Sequence, residues 1–121
     1  MERDYKLEKE VYYETIWYIR QYPSMLKEYE GLIWKSSAND GQPRGTTIGD
    51  PTESAAERLA TLSERISPIQ KGLERVPKEY RKGLLENIIN RVPYPYYADI
   101  TTWRRWRRRF VFFVAMERSN R

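Results

Sequence analysis

The residues of this chain best equipped for chemistry are concentrated in one stretch, TTWRRWRRRF at residues 101–110, where five arginines surround two tryptophans and a phenylalanine. A guanidinium offers five N–H donors in a planar fork that matches phosphate oxygens and the O6/N7 edge of guanine. A helix carrying several is equipped to hold a polyanion rather than to make or break bonds. The chain has no cysteine and no histidine, which removes disulfides, thiol nucleophiles, the common zinc sites and the usual neutral-pH general base. The expectation is a non-enzymatic protein without metal or cofactor.

At 100° per residue, Trp103, Trp106, Phe110, Phe113 and Val114 fall on one arc of a helix over about 100–118, with Arg107 and Val111 at its edge. They are expected to be core. Opposite them stand Thr101, Arg104, Arg105, Arg108 and Phe112, with Arg109 on the other flank. A solvated charged face would alternate signs, but this one has no acidic residue at i±4, and it occupies the end of the helix where the dipole disfavours cations. A phosphate backbone would turn both penalties into gains. An interfacial membrane helix has a similar composition, but the aromatic arc is needed to pack the helix on Tyr80, Leu84 and Ile88. Arg104, Arg105, Arg108 and Arg109 are therefore candidate DNA contacts, to base edges or to phosphates. Thr101 and Thr102 are candidates for capping and backbone contact, and Lys78, Arg81 and Lys82 for flanking phosphate contacts.

The elements that must position this helix are all helical. Val11, Thr15, Tyr18, Tyr22, Met25, Tyr29 and Leu32 recur at four-three spacing, with Ile16, Ile19, Leu26 and Ile33 beside them. Pro23 divides the pattern into helices over about 4–21 and 23–37. Residues 36–50, SSANDGQPRGTTIGD, read as a mobile loop. The following DPTE offers Asp50 as a cap, Pro51 at the first helical position and Glu53 at the third. Ala55, Leu59, Leu62, Ile66, Ile69, Leu73 and Val76 then form a heptad seam suited to a hairpin or a coiled-coil homodimer. Pro68 predicts a bend over 64–68. Another helix is expected from Pro77 to just before Pro93, and PYPYY must turn the chain in an extended form. The expected fold is all-α: a helical hairpin over 1–76, with its loop at 36–49, serving dimerisation, then a helix-turn-helix-like DNA-binding unit over 77–121.

Charge follows the same division. Lys plus Arg number 22 against 17 Asp plus Glu, and residues 1–70 carry a balance of −3 against +8 for residues 71–121. Such asymmetry points to a polyanionic partner for the C-terminal half. The opening MERDYKLEKE is charged where a secretory signal needs an apolar segment, and no run approaches the roughly 20 apolar residues of a membrane span. A soluble intracellular protein is expected.

The order YYETIWYIRQYPSMLKEYEGLI, DPTESAAERL, VPKEYRKGLLENII and TTWRRWRRRFVFFVA resembles the RinA/ArpU family of phage late-gene transcriptional activators over nearly the whole chain. That resemblance implies a DNA-binding regulator of phage or prophage genes, acting in the bacterial cytoplasm, with a C-terminal helix-turn-helix akin to sigma-factor region four and RNA polymerase as a candidate partner. Double-stranded DNA and a second copy of the chain are the partners expected. Two rivals share these features: a small DNA-recognition subunit of a packaging terminase, which would form a ring, and a protein-interaction adaptor whose basic helix is only an electrostatic aid.

Overall fold

The helix at the C-terminal end lies at the centre of the molecule. A computed structural model describes residues 4–38 and 51–120, with the side chains of 35–38 and 51–53 left aside. Its order is α1 (Lys9–Arg20), α2 (Tyr22–Ala38), α3 (Pro51–Glu74), α4 (Lys78–Asn90) and α5 (Ile100–Ser119), with no strand among the described residues. The fold is all-α, as expected. The 36–49 loop beyond residue 38 and the caps proposed for Asp50 and Glu53 lie outside what is described.

Helix α5 packs on α3, α1 and α4, so its partners come from both sides of residue 76. Six consecutive residues, Phe110 to Ala115, are buried; this stretch of α5 is thus covered all round, the pattern of a core helix. Fully burying a side chain such as Phe110 stabilises by about 1.5–3 kcal/mol. Gly72 of α3 allows the close approach, because a Cβ there would meet Val114 Cγ2 at 2.8 Å.

The heptad seam that runs along α3 is covered within the chain from Leu62 onward, while Ala55 and Leu59 at its start are half-buried. Leu62, Ile66, Ile69 and Val76 are buried, and α3 packs along α2 on one side and α5 on the other. Arg58 ties α2 to α3, donating to both Glu28 carboxylate oxygens at 2.5 and 2.8 Å. Arg65 Nη2 reaches Gln21 Oε1 at 2.7 Å, which makes the pair antiparallel. Helix α3 is continuous through buried Pro68. The missing Pro68 amide deprives one carbonyl of its intrahelical donor, and the Tyr18 hydroxyl of α1 donates to the neighbouring Arg65 carbonyl.

The N-terminus departs from the sequence reading. Helix α1 begins at Lys9, not near Asp4, and residues 4–8 form an extended strap in which Tyr5 and Leu7 are half-buried while Asp4, Lys6 and Glu8 are exposed. This is the alternation of a strand rather than a helix. Asp4 Oδ1 accepts the Lys6 amide at 3.0 Å and so competes with helical pairing there. The break between α1 and α2 falls at Gln21, and Pro23 sits in the first turn of α2, where its missing amide costs nothing.

Candidate nucleic-acid interface

The start of α5 is fixed from below by an aromatic enclosure around Trp103. Trp103 is fully buried, its Nε1 donates to the Pro95 carbonyl at 3.1 Å, and Tyr94 stacks on it with centroids 5.3 Å apart and planes 7° from parallel. Tyr80 and Tyr97 meet it edge-on at 5.0 and 5.4 Å. The PYPYY segment is therefore the wall of a box that orients the first turns of α5. Gly83 of α4 forms another wall, since a Cβ there would lie 2.6 Å from the indole Cη2. Trp106 continues the contact by stacking on Tyr80 at 6.1 Å.

Two features of α4 shape the connection. Its C-cap, Arg91, adopts the left-handed conformation at φ 58°, and Val92 N–H donates back to the Glu86 carbonyl at 3.2 Å. With Arg91 N–H donating to the Asn87 carbonyl at 3.0 Å, this is the αL ending, here without the glycine that usually supplies it. Asn87 then secures the exit, its Nδ2 donating to the Val92 carbonyl at 2.9 Å.

With the apolar side so held, the other side of α5 faces outward. Thr101, Arg104, Arg105 and Arg108 are exposed and Thr102 is half-buried. Among the described residues the ion pairs join Arg58 to Glu28, Arg75 to Glu117 and Arg118 to Glu14, and none involves this face. The backbone N-cap is Asp99, whose side chain makes no capping hydrogen bond. The leading amides of α5 are thus left without a side-chain cap, which suits an anion.

The remaining candidates divide by what they touch. Arg109 is half-buried, its guanidinium lying 4.8 Å from the centroid of Tyr5 and 5.2 Å from that of Trp106, so it clamps the strap to α5. Arg81 Nε donates to the Val76 carbonyl at 2.8 Å and Nη2 to the Glu74 carbonyl at 3.3 Å, which caps the end of α3. Lys78 and Lys82 are exposed on α4. Phe112, expected to point outward among the arginines, is instead 8% exposed, because Tyr5 of the strap covers it edge-on at 5.4 Å.

Arg107 is the residue whose role the sequence pattern did not disclose. Its Nε donates to the Tyr12 hydroxyl at 3.1 Å and its Nη1 to Asn87 Oδ1, joining α5 to α1 and α4. Burial by itself would lower the pKa of this guanidinium. The hydroxyls of Tyr12 and then Tyr94 outweigh burial and hold it above the ordinary arginine value. Arg107 is accordingly a fixed cation. The signal in the sequence was its position at the edge of the aromatic arc, where a long polar side chain must reach a partner on a neighbouring helix.

No group of acidic residues suited to a metal ion occurs among the described residues, and no helix there is long and apolar enough to cross a membrane. Compared with known proteins, the chain matches no family model, no curated protein and no solved structure.

Proposed function

We propose that the chain is a sequence-specific regulator of transcription that binds double-stranded DNA through the first turns of α5, of the phage or prophage type that its sequence resembles. The observation that carries this reading is the outer face of α5: Arg104, Arg105 and Arg108, exposed, without carboxylate partners among the described residues, on a helix immobilised by buried Trp103 and Phe110. Like charges at i,i+4, as in Arg104 with Arg108, destabilise a helix by a few tenths of a kcal/mol. Phosphates relieve that repulsion, and each arginine neutralised releases counterions. Thr101 and Thr102, beside the open amides of α5, are suited to a phosphate oxygen. Contact with RNA polymerase and a host-cytoplasmic location belong to the same reading.

A dimer on a symmetric operator remains the stoichiometry of this proposal, but its contact must lie elsewhere than the α3 seam, whose centre is occupied by α2 and α5. Selection of bound duplexes from a random pool at near-physiological salt tests the reading directly. An enriched motif, with affinity lost in the Arg104→Ala/Arg108→Ala variant and helicity retained, is the expected result. A pool without enrichment would move the assignment to the adaptor, and a ring of subunits in solution would move it to the packaging subunit.

A further inference from the structure

Arg107 is held differently from the arginines around it. Neutral groups, the Tyr12 hydroxyl and Asn87 Oδ1 on two other helices with the Tyr94 hydroxyl beside them, fix its fork, and no described carboxylate pairs with it. A half-buried guanidinium oriented by neutral groups keeps its full charge and has donors left over for a further acceptor. It lines a cleft of about 750 Å³ between the strap and α5, together with Lys6, Arg104 and Arg108. The acid on this wall is Asp4, whose Oδ1 accepts the Lys6 amide. Tyr12 and Tyr94 supply aromatic wall, and the Tyr94 ring is fixed by stacking on Trp103. The volume is that of a small-ligand site. Clustered cations beside an immobilised aromatic ring call for a ligand that is anionic at one end and flat at the other.

We propose that this cleft binds a nucleoside monophosphate unit, its phosphate on Arg104, Arg107 and Arg108 and its base against Tyr94. A planar fork takes two phosphate oxygens at once, and a base stacks on a tyrosine ring whatever its sequence identity. Such a unit is available as a free nucleotide or as the terminal or unstacked nucleotide of a strand. The site shares Arg104 and Arg108 with the DNA-contacting face and rests on that reading only through them. Arg105 lines the neighbouring compartment and not this cleft, while Arg107 lines this cleft and not that compartment.

Isothermal titration of the full chain with adenosine 5′-monophosphate, adenosine and inorganic phosphate tests the proposal. The monophosphate is expected to bind at least about tenfold more tightly than either half of it alone, since phosphate and base contacts both contribute. Arg107→Lys keeps the charge but loses the fork, so it should weaken binding by about tenfold or more. Circular dichroism reports whether it folds. The Arg104→Ala/Arg108→Ala variant, changed only at exposed positions, should lose the nucleotide as well. Arg105→Ala should leave nucleotide binding unchanged while weakening duplex binding. Displacement of the nucleotide by a short 5′-phosphorylated single strand identifies a strand as the source; its retention identifies the free nucleotide. Nucleotide binding without duplex binding would sink the DNA reading and leave the cleft standing. A monophosphate that binds no better than inorganic phosphate, or that ignores both arginine variants, would overturn the proposal.

Discussion

Gly83 of α4 lies against the indole of Trp103 so closely that a Cβ on it would sit 2.6 Å from Cη2 and 2.9 Å from Cζ3. Trp103 cannot yield, because Tyr80, Tyr94 and Tyr97 hold its other sides and Nε1 is bonded to Pro95. The absence of a side chain at residue 83 therefore sets how deeply the first turns of α5 seat, and with that the height at which Arg104 and Arg108 stand above α4.

Replacing Gly83 by alanine should consequently destabilise the fold. Overpacking costs about 1–3 kcal/mol, and the gain in helix propensity returns about 1 kcal/mol of it. Gly31 provides the contrast: it is exposed in α2, with nothing within 4 Å of a Cβ placed there. Gly31→Ala should raise stability by about 0.5–1 kcal/mol. Urea denaturation of the two variants should shift the midpoint in opposite directions.

The strap is a second point at which packing and site meet. Tyr5 covers Phe112 and Phe113 edge-on at 5.4 and 5.7 Å and carries the Arg109 guanidinium at 4.8 Å. Tyr5→Ala should cost roughly 2 kcal/mol, from aromatic pairs worth about 0.5–1.5 kcal/mol each together with the newly exposed Phe112 surface. Tyr5→Phe retains the ring and should be close to neutral. Thermal melts of the two variants separate a role of the ring from a role of the hydroxyl.

How much of this was legible in the sequence depends on the range of each contact. The five helices, the aromatic underside of α5 and its arginine face follow from periodicity, which acts over three and four residues. Residues 4–8 depart from the helix expected over 4–21 because the helical spacing begins at Val11, while Tyr5 and Leu7 alternate with exposed Asp4, Lys6 and Glu8. Phe112 falls on the outer arc of a helical wheel, which does not show what crosses over it, and its cover comes from Tyr5. Arg107 and Tyr12 lie 95 positions apart, so no local pattern could pair them. Arg81, a candidate phosphate contact by its sequence position, is instead taken up by the Glu74 and Val76 carbonyls at the end of α3, which lie outside any local pattern of α4.

The ion pair between α2 and α3 gives a pH prediction. The hydrogen bond from Arg58 is the largest influence on Glu28 and lowers its pKa below the ordinary 4.5. A carboxylate with a lowered folded-state pKa contributes stability that is present above its unfolded value and is lost as pH falls through the folded one. Both partners are exposed, so the effect is modest. Glu28→Gln should lower the urea midpoint slightly at pH 7 and narrow its gap to the parent as the pH falls below about 4.5. A gap that held constant from pH 7 to pH 3 would mean that the pair does not act through its charge.

Arg105 and Arg81 together distinguish a DNA contact from a structural arginine. Arg105 is exposed and has Arg109 four residues on. Its removal relieves like-charge repulsion worth about 0.2–0.5 kcal/mol, so Arg105→Ala should be as stable as the parent or slightly more so. If Arg105 neutralises a phosphate, the slope of log affinity against log salt should fall by about 1 in that variant. Arg81 holds the Val76 and Glu74 carbonyls. Losing those charge-assisted bonds should destabilise the fold by about 1–3 kcal/mol and leave the salt slope of the folded protein unchanged. Anisotropy titrations on a selected duplex at several salt concentrations, paired with melting curves, read both quantities. If Arg81→Ala lowered the slope and Arg105→Ala did not, the DNA-facing surface would belong to the start of α4 rather than to the outer face of α5.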